Sequence, residues 1–103
     1  MAIEVNTKAA LLAQLKTNAE KIKSFGVEKL GVFGSFSTDS VTKDSDIDLL
    51  IEFVPSKKNF DNFIDLSFYL EELFNRKVEI VTPQSLSKHI GPHILKQTQY
   101  VSI

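Results

Sequence analysis

The chain has 103 residues, 43% hydrophobic and 24% charged, which is the composition of one compact globular domain and too little for two. Its 12 basic and 13 acidic residues give a net charge of -1, and the scattered basic residues argue against a nucleic-acid-binding surface. Disulfides and thiolate metal sites are excluded because there is no cysteine, and we see neither an N-terminal leader nor an apolar run long enough to span a membrane. We therefore expect one domain, residues 1–103, in the cytoplasm and without membrane association.

The N-terminal quarter of the chain is predicted to form a helix. Asn6 or Thr7 can cap its first turn, and Phe25 and Gly26 are expected to end it. The apolar residues in between recur at helical spacing, so we assign this stripe to the core. They are Leu11, Leu15, Ala19 and Ile22.

Two strands are predicted next, with a glycine-serine turn after the first. The first strand covers 30–33 and ends at Gly34 and Ser35, and the polar stretch 36–44 follows as a turn or short helix. The second strand, 46–53, shows a period of two in which one face is fully apolar and the other, which includes Leu50, begins with Asp46 and Asp48. The turn and the two acids therefore belong to neighbouring parts of the sequence.

The second half of the chain is predicted to contain a long helix, a third strand and a last helix. A loop at 54–59 precedes the amphipathic helix, and Glu79 lies in the strand at 77–81, on the face opposite Val78 and Ile80. A helical turn is expected within 84–90, and Gly91 starts a closing helix to about residue 99. The core stripe of the long helix is Phe60, Phe63, Leu66, Leu70 and Leu73.

The two aspartates and the turn favour a site for a metal-bound nucleoside triphosphate. Side chains two apart on a strand start roughly 7 Å apart on one face, so Asp46 and Asp48 can lean together onto metal ions. Backbone N–H groups of Gly34 and Ser35 can face the phosphates. If Glu79 lies on the neighbouring strand and the same face, three carboxylates converge and repel each other unless cations neutralise them. We therefore predict two magnesium ions, Mg2+, held by these three acids.

Each of these features has an ordinary structural explanation when it is taken alone. An Asp-x-Asp pair is more often a cap or a solvated pair than a metal site, a Gly-Ser pair is commonly a turn, and a strand acid such as Glu79 is usually just exposed. Their order on three successive strands is the stronger signal. It indicates nucleotidyl transfer, in which a hydroxyl attacks the α-phosphorus of the triphosphate and pyrophosphate leaves.

The motifs resemble those of a known family. Val32-Phe33-Gly34-Ser35, ten further residues, and then the segment 46–53 are similar to the signature of the minimal nucleotidyltransferases of the DNA polymerase β-like superfamily. The segment 76–83 is similar to the one that bears the third carboxylate of that family, and the tail, 93–101, is similar to its closing helix. The third acid is Glu79 where the family commonly has Asp.

The resemblance implies an α/β (α+β) fold, a small mixed sheet backed by helices. It implies Mg2+-dependent transfer of AMP from ATP, with Asp46, Asp48 and Glu79 as both the catalytic and the metal-binding residues and with Gly34 and Ser35 binding the nucleotide. Family members this small are often antitoxins that adenylylate a tyrosine of a HEPN-domain toxin, so a HEPN-type toxin is the expected partner. Homo-oligomerisation stays open.

Two other functions compete with this hypothesis. In the first, the chain neutralises its toxin by binding alone, and the acids are partly vestigial. In the second, it modifies a small molecule such as an antibiotic, which would need an acceptor pocket that a chain of this length can hardly build without dimerising.

Overall fold

The computed structural model describes residues 5–38, 40–89 and 91–103. Its centre is one four-stranded sheet of β1 (Val27–Phe33), β2 (Ile47–Phe53), β3 (Val78–Val81) and β4 (Gln99–Val101). The strand order is β3-β2-β1-β4. β1 pairs antiparallel with β2 and β4, and β2 pairs parallel with β3, so the sheet is mixed as predicted.

The predicted first helix is two helices, α1 (Lys8–Thr17) and α2 (Ala19–Ser24), with Asn18 between them. The Thr7 hydroxyl accepts a hydrogen bond from the Ala10 N–H, which confirms Thr7 as the N-cap. The break follows from Asn18, whose side-chain amide donates to the Gln14 carbonyl and competes with the backbone for it.

The long helix α3 (Phe60–Phe74) was predicted correctly, including its start after the loop at 54–59, but its first residue does not pack in the core. The Asn59 side chain caps it by accepting from the Asn62 N–H at 2.8 Å. Phe60 was assigned to the core but is 75% exposed, because Phe63 takes the position beside Phe53, with ring centroids 6.5 Å apart. A helical crossover of this kind allows β2 and β3 to run parallel.

The C-terminal end also differs from prediction. The helix that starts at Gly91 is short, α4 (Gly91–Gln97), and the residues after it form β4 instead of prolonging it. β4 pairs with β1, where Val101 stands opposite Leu30. The helical turn predicted within 84–90 is a single 3₁₀ turn at Pro83–Ser85, whereas Asp39 and Ile90 lie outside the described residues.

One hydrophobic core holds the helices against the sheet. Buried residues of α1, α2 and α3 pack in one cluster with the apolar face of β2, whose members Ile47, Leu49 and Ile51 have no exposed surface. In the part of the chain that the structure describes, no helix has the length and apolarity needed to span a membrane. The opposite face of β2 begins with Asp48 and continues with Leu50, which is also buried.

Candidate active site

Asp46 and Asp48 lie where β2 begins. Asp46 directly precedes the strand, Asp48 is its second residue, and both are half-buried. The residues on either side of Asp48, Ile47 and Leu49, are fully buried in the core. The alternation of a strand therefore turns Asp48 to the opposite face.

Glu79 lies beside Asp48 on the neighbouring strand. In the parallel pairing of β2 with β3, these two residues stand directly opposite each other, which sets their Cα atoms about 4.8 Å apart. Glu79 is exposed and its neighbours Val78 and Ile80 are buried, as the alternation in the sequence predicted. The sheet thus brings two of the three predicted acids onto one face as neighbours.

The Gly34 turn lies against Asp48 from the other side. Gly34 starts a 3₁₀ turn, Gly34–Phe36, at the end of β1, and its φ of 70° lies in the left-handed region that favours glycine. A Cβ atom on Gly34 would come within 2.3 Å of Asp48 Oδ2, so only glycine permits this approach of backbone to carboxylate. Ser35 is half-buried and Phe36, fully buried, anchors the turn in the core.

The charges of Asp46 and Glu79 both act on Asp48. Burial, and then the negative charges of Glu79 and Asp46, raise the pKa of Asp48 from 3.8 to about 6. A cation bound near Asp48 would offset this repulsion and stabilise the ionised form of its carboxyl group. The structure therefore brings Asp46, Asp48, Glu79 and Gly34 into one site, with Ser35 in the adjoining turn.

The donor set suits magnesium, although these acids do not form a complete cage for it. Within 5–38, 40–89 and 91–103, no group of three His, Cys, Asp or Glu side chains has the geometry to hold an ion unaided. Magnesium is usually bound by one or two carboxylates together with substrate phosphates and water, so a pair of aspartates facing a bound triphosphate is the expected arrangement. The residues present fit the ion in this sense.

Arg76 is a residue of the site region to which sequence analysis gave no role. Its guanidinium donates to the Ser45 carbonyl, immediately before Asp46, at 2.7 Å. The sequence feature that could have drawn attention to Arg76 is that it is the only arginine in the chain.

Comparison with known proteins agrees with the fold and shows the family. A model of the nucleotidyltransferase domain family matches residues 12–101. The protein adenylyltransferase MntA of Thermococcus cleftensis is 39% identical over 79 residues, which are 75% of this chain and 77% of that protein.

Two solved structures share the fold. A chain assigned as a minimal nucleotidyltransferase has a TM-score of 0.77 at 24% identity, over 94% of this chain and 96% of that chain. A chain from a toxin-antitoxin crystal structure with AMP-PNP has a TM-score of 0.64 at 20% identity, over 82% of this chain and 70% of that chain. With the acidic face of its mixed sheet and the Gly34 turn beside it, this chain belongs to the nucleotidyltransferase domain family.

Proposed function

We propose that this chain transfers AMP from ATP to a protein hydroxyl, a tyrosine of a HEPN-type toxin, and so acts as an antitoxin. The observation that supports this most directly is the position of Asp48 between Gly34 and Glu79. In this position Asp48 lies next to the turn that we assign to phosphate binding and forms a pair with Glu79 on one face of the sheet. The relative in Thermococcus cleftensis is named a protein adenylyltransferase, and the structural relative with AMP-PNP is part of a toxin-antitoxin complex.

The proposed role of the turn is to hold the triphosphate. Gly34 lets the backbone approach the site closely, and the backbone N–H and hydroxyl of Ser35 donate to phosphate oxygens. The turn is held in shape by its own hydrogen bonds, in which the Gly34 carbonyl accepts from the N–H groups of Ser37 and Thr38 at 3.1 and 3.2 Å. A turn fixed before binding loses little entropy when the nucleotide arrives.

The proposed role of the acids is to hold two magnesium ions and to receive a proton. Asp46 and Asp48 are the ligands, and Glu79 either completes the second metal site or acts as the base that accepts the proton of the acceptor. Magnesium, when bound, neutralises charge on the phosphates and lowers the pKa of the attacking hydroxyl. The tyrosine oxygen forms a bond to the α-phosphorus, the bond from that phosphorus to the bridging oxygen breaks, pyrophosphate leaves, and Glu79, in its role as the base, accepts the phenolic proton.

The openness of the site favours a macromolecular acceptor. Glu79 is exposed and Asp46 and Asp48 are only half-buried, so a large partner can bring its hydroxyl to the acidic face. A small acceptor would need walls that exclude water and fix its orientation. A folded toxin supplies both on its own surface.

The test is an intact-mass measurement on the chain mixed with the product of its neighbouring gene, ATP and magnesium. We expect the partner to gain the mass of one or more adenylyl groups, and we expect Asp46→Asn to abolish the gain while the protein stays folded. Peptide mapping should place the group on a tyrosine. A complex that silences the partner equally well with Asp46→Asn, without any gain in mass, would instead establish neutralisation by binding alone.

A further inference from the structure

The side chain of Arg76 connects parts of the molecule that are far apart in sequence. Its Nη1 atom lies 2.7 Å from the Ser45 carbonyl oxygen and 3.2 Å from that of Thr42. Its Nε atom donates to the Val5 carbonyl at 3.1 Å, and Nη2 donates to the Asn6 side chain at 3.2 Å. The guanidinium therefore holds the loop before β2 and the segment before α1 at the same time.

The Ser45 contact places Arg76 one residue from a proposed metal ligand. Ser45 immediately precedes Asp46, and its hydroxyl closes the loop by accepting from the Thr42 N–H at 2.8 Å. Arg76 itself stands three residues before Glu79, and the intervening Lys77 carbonyl accepts from the Ile47 N–H at 2.9 Å. The two residues just before β3 are thus hydrogen-bonded to the residues on both sides of Asp46.

A second contact reaches the phosphate-binding turn. The Arg76 guanidinium carbon lies 5.4 Å from the centre of the Phe36 ring, within the range of cation–π attraction. Phe36 is the last residue of the turn Gly34–Phe36 and is fully buried. One side chain therefore touches the segments that carry Asp46 and Ser35.

The choice of arginine is informative because every other basic residue except the histidines is lysine. Arg76 is the only arginine in the sequence, against 11 lysines. A guanidinium offers five N–H donors in a rigid plane and can stack on an aromatic ring, whereas an ammonium is a point charge that cannot meet all these acceptors at once. The contacts of Arg76 use both properties.

We propose that Arg76 is a positioning residue that sets Asp46 and the Gly34–Phe36 turn at the correct distance from Glu79. This inference rests on the proposed function in one respect, since its kinetic consequence is measured as AMP transfer. Without the guanidinium fork, the loop 42–46 loses the bond beside Asp46 and the turn loses the cation on Phe36. A displacement of about 1 Å in such a site costs ~100-fold in rate.

The kinetic test compares Arg76→Lys with Lys16→Gln, which removes an exposed charge from α1. At saturating ATP and magnesium we expect Arg76→Lys to lower kcat about 10- to 100-fold, with a smaller change in KM for ATP, and Lys16→Gln to behave as wild type. In Arg76→Ala, guanidinium ion at low millimolar concentration should restore part of the rate, which a loss of general stability would not allow. Equal rates for Arg76→Lys and wild type would overturn the proposal.

Hydrogen exchange tests the same inference without turnover. We expect Arg76→Lys to speed exchange at amides of the loop 42–46 and of the turn 34–38, while amides of α3 and the centre of β2 keep their protection. Unchanged exchange in the loop and the turn would contradict the proposal. If the wild-type protein transfers no AMP, the proposed function fails, and this exchange pattern still decides the role of Arg76.

Discussion

The two faces of β2 have opposite physical characters. On the helical side, Ile47, Leu49 and Ile51 have no exposed surface and lie in the main core. On the other side, Asp48 is half-buried next to two further carboxylates, and its pKa is raised to about 6. The same seven-residue strand therefore packs one whole face in the core, whereas the other face begins with repelling carboxylates and only then buries Leu50.

The magnitudes explain why the strand tolerates its acidic face. Burying one Leu or Ile side chain contributes about 1.5–3 kcal/mol, and β2 buries several of them. Ionised Asp48 opposes folding by about 1 kcal/mol once solvent screening at a half-buried carboxyl is allowed for. The difference indicates that stability is provided by the core face, which leaves the acidic face free to be arranged for chemistry.

A substitution on the core face of β2 should have the largest expected effect, a loss of stability. Ile51→Ala removes three carbons from a fully buried site, and we expect the free energy of unfolding to fall by about 2–5 kcal/mol. Urea unfolding measures this loss, and Glu52→Gln on the opposite face is the matched control, expected within about 0.5 kcal/mol of wild type. The transfer rate per folded molecule should not change. A rate loss in Ile51→Ala that persists after correction for unfolded protein would show that the two faces are not separable.

A substitution that disturbs the contact between Gly34 and Asp48 should have the next largest effect, and this effect should be on activity. An alanine at position 34 would place its Cβ within 2.3 Å of Asp48 Oδ2 at a φ of 70°, so the carboxylate or the turn must move. A movement of about 1 Å predicts a loss of ~100-fold in the rate of AMP transfer, measured from initial rates at saturating ATP.

Gly26→Ala is the control for backbone strain alone. Gly26 also has a positive φ, 91°, and its added Cβ would meet the Lys57 side chain instead of a site residue. Both alanine variants should lose stability, but only Gly34→Ala should lose activity per folded molecule. Similar rate losses in the two variants would contradict a specific role for the Gly34–Asp48 contact.

The elements that sequence predicted best are those with one clearly buried face. The alternation through 46–53 located β2 to within one residue, because an apolar and a polar face give a strict period of two. β4 was missed because it is three residues long and is held by pairing with β1, about 70 residues earlier in the chain. Local patterns carry no information on such distant pairing.

The sequence identified the residues of the candidate site, but it did not specify most of the contacts between them. The sequence left open whether Asp48 and Glu79 share a face, and the parallel pairing of β2 and β3 makes them direct neighbours. The approach of Gly34 to Asp48 depends on the antiparallel pairing of β1 with β2, which periodicity does not specify. Arg76 binds mainly backbone carbonyls, and these are present in every sequence.

The smallest expected effect is the pH dependence of stability that Asp48 causes. Its pKa is higher in the folded protein, about 6, than the ordinary 3.8, so the folded state binds this proton more tightly than the unfolded state. Stability from this group is fully present below pH 3.8 and is lost as the pH rises through about 6. In metal-free buffer, Asp48→Asn should therefore be about 1 kcal/mol more stable than wild type at pH 8, with the difference disappearing near pH 4.

Thermal unfolding at pH 4 and pH 8, with and without magnesium and a non-hydrolysable ATP analogue, measures this difference. With both ligands at pH 8, wild type should gain stability and Asp48→Asn should not, because the variant has lost the charge that attracts the cation. A variant that is less stable than wild type at pH 8 in chelator would show that Asp48 makes favourable contacts that outweigh its repulsion by Glu79 and Asp46. In that case the acidic face would stabilise the fold as the core face does, and the contrast between the two faces of β2 would fail.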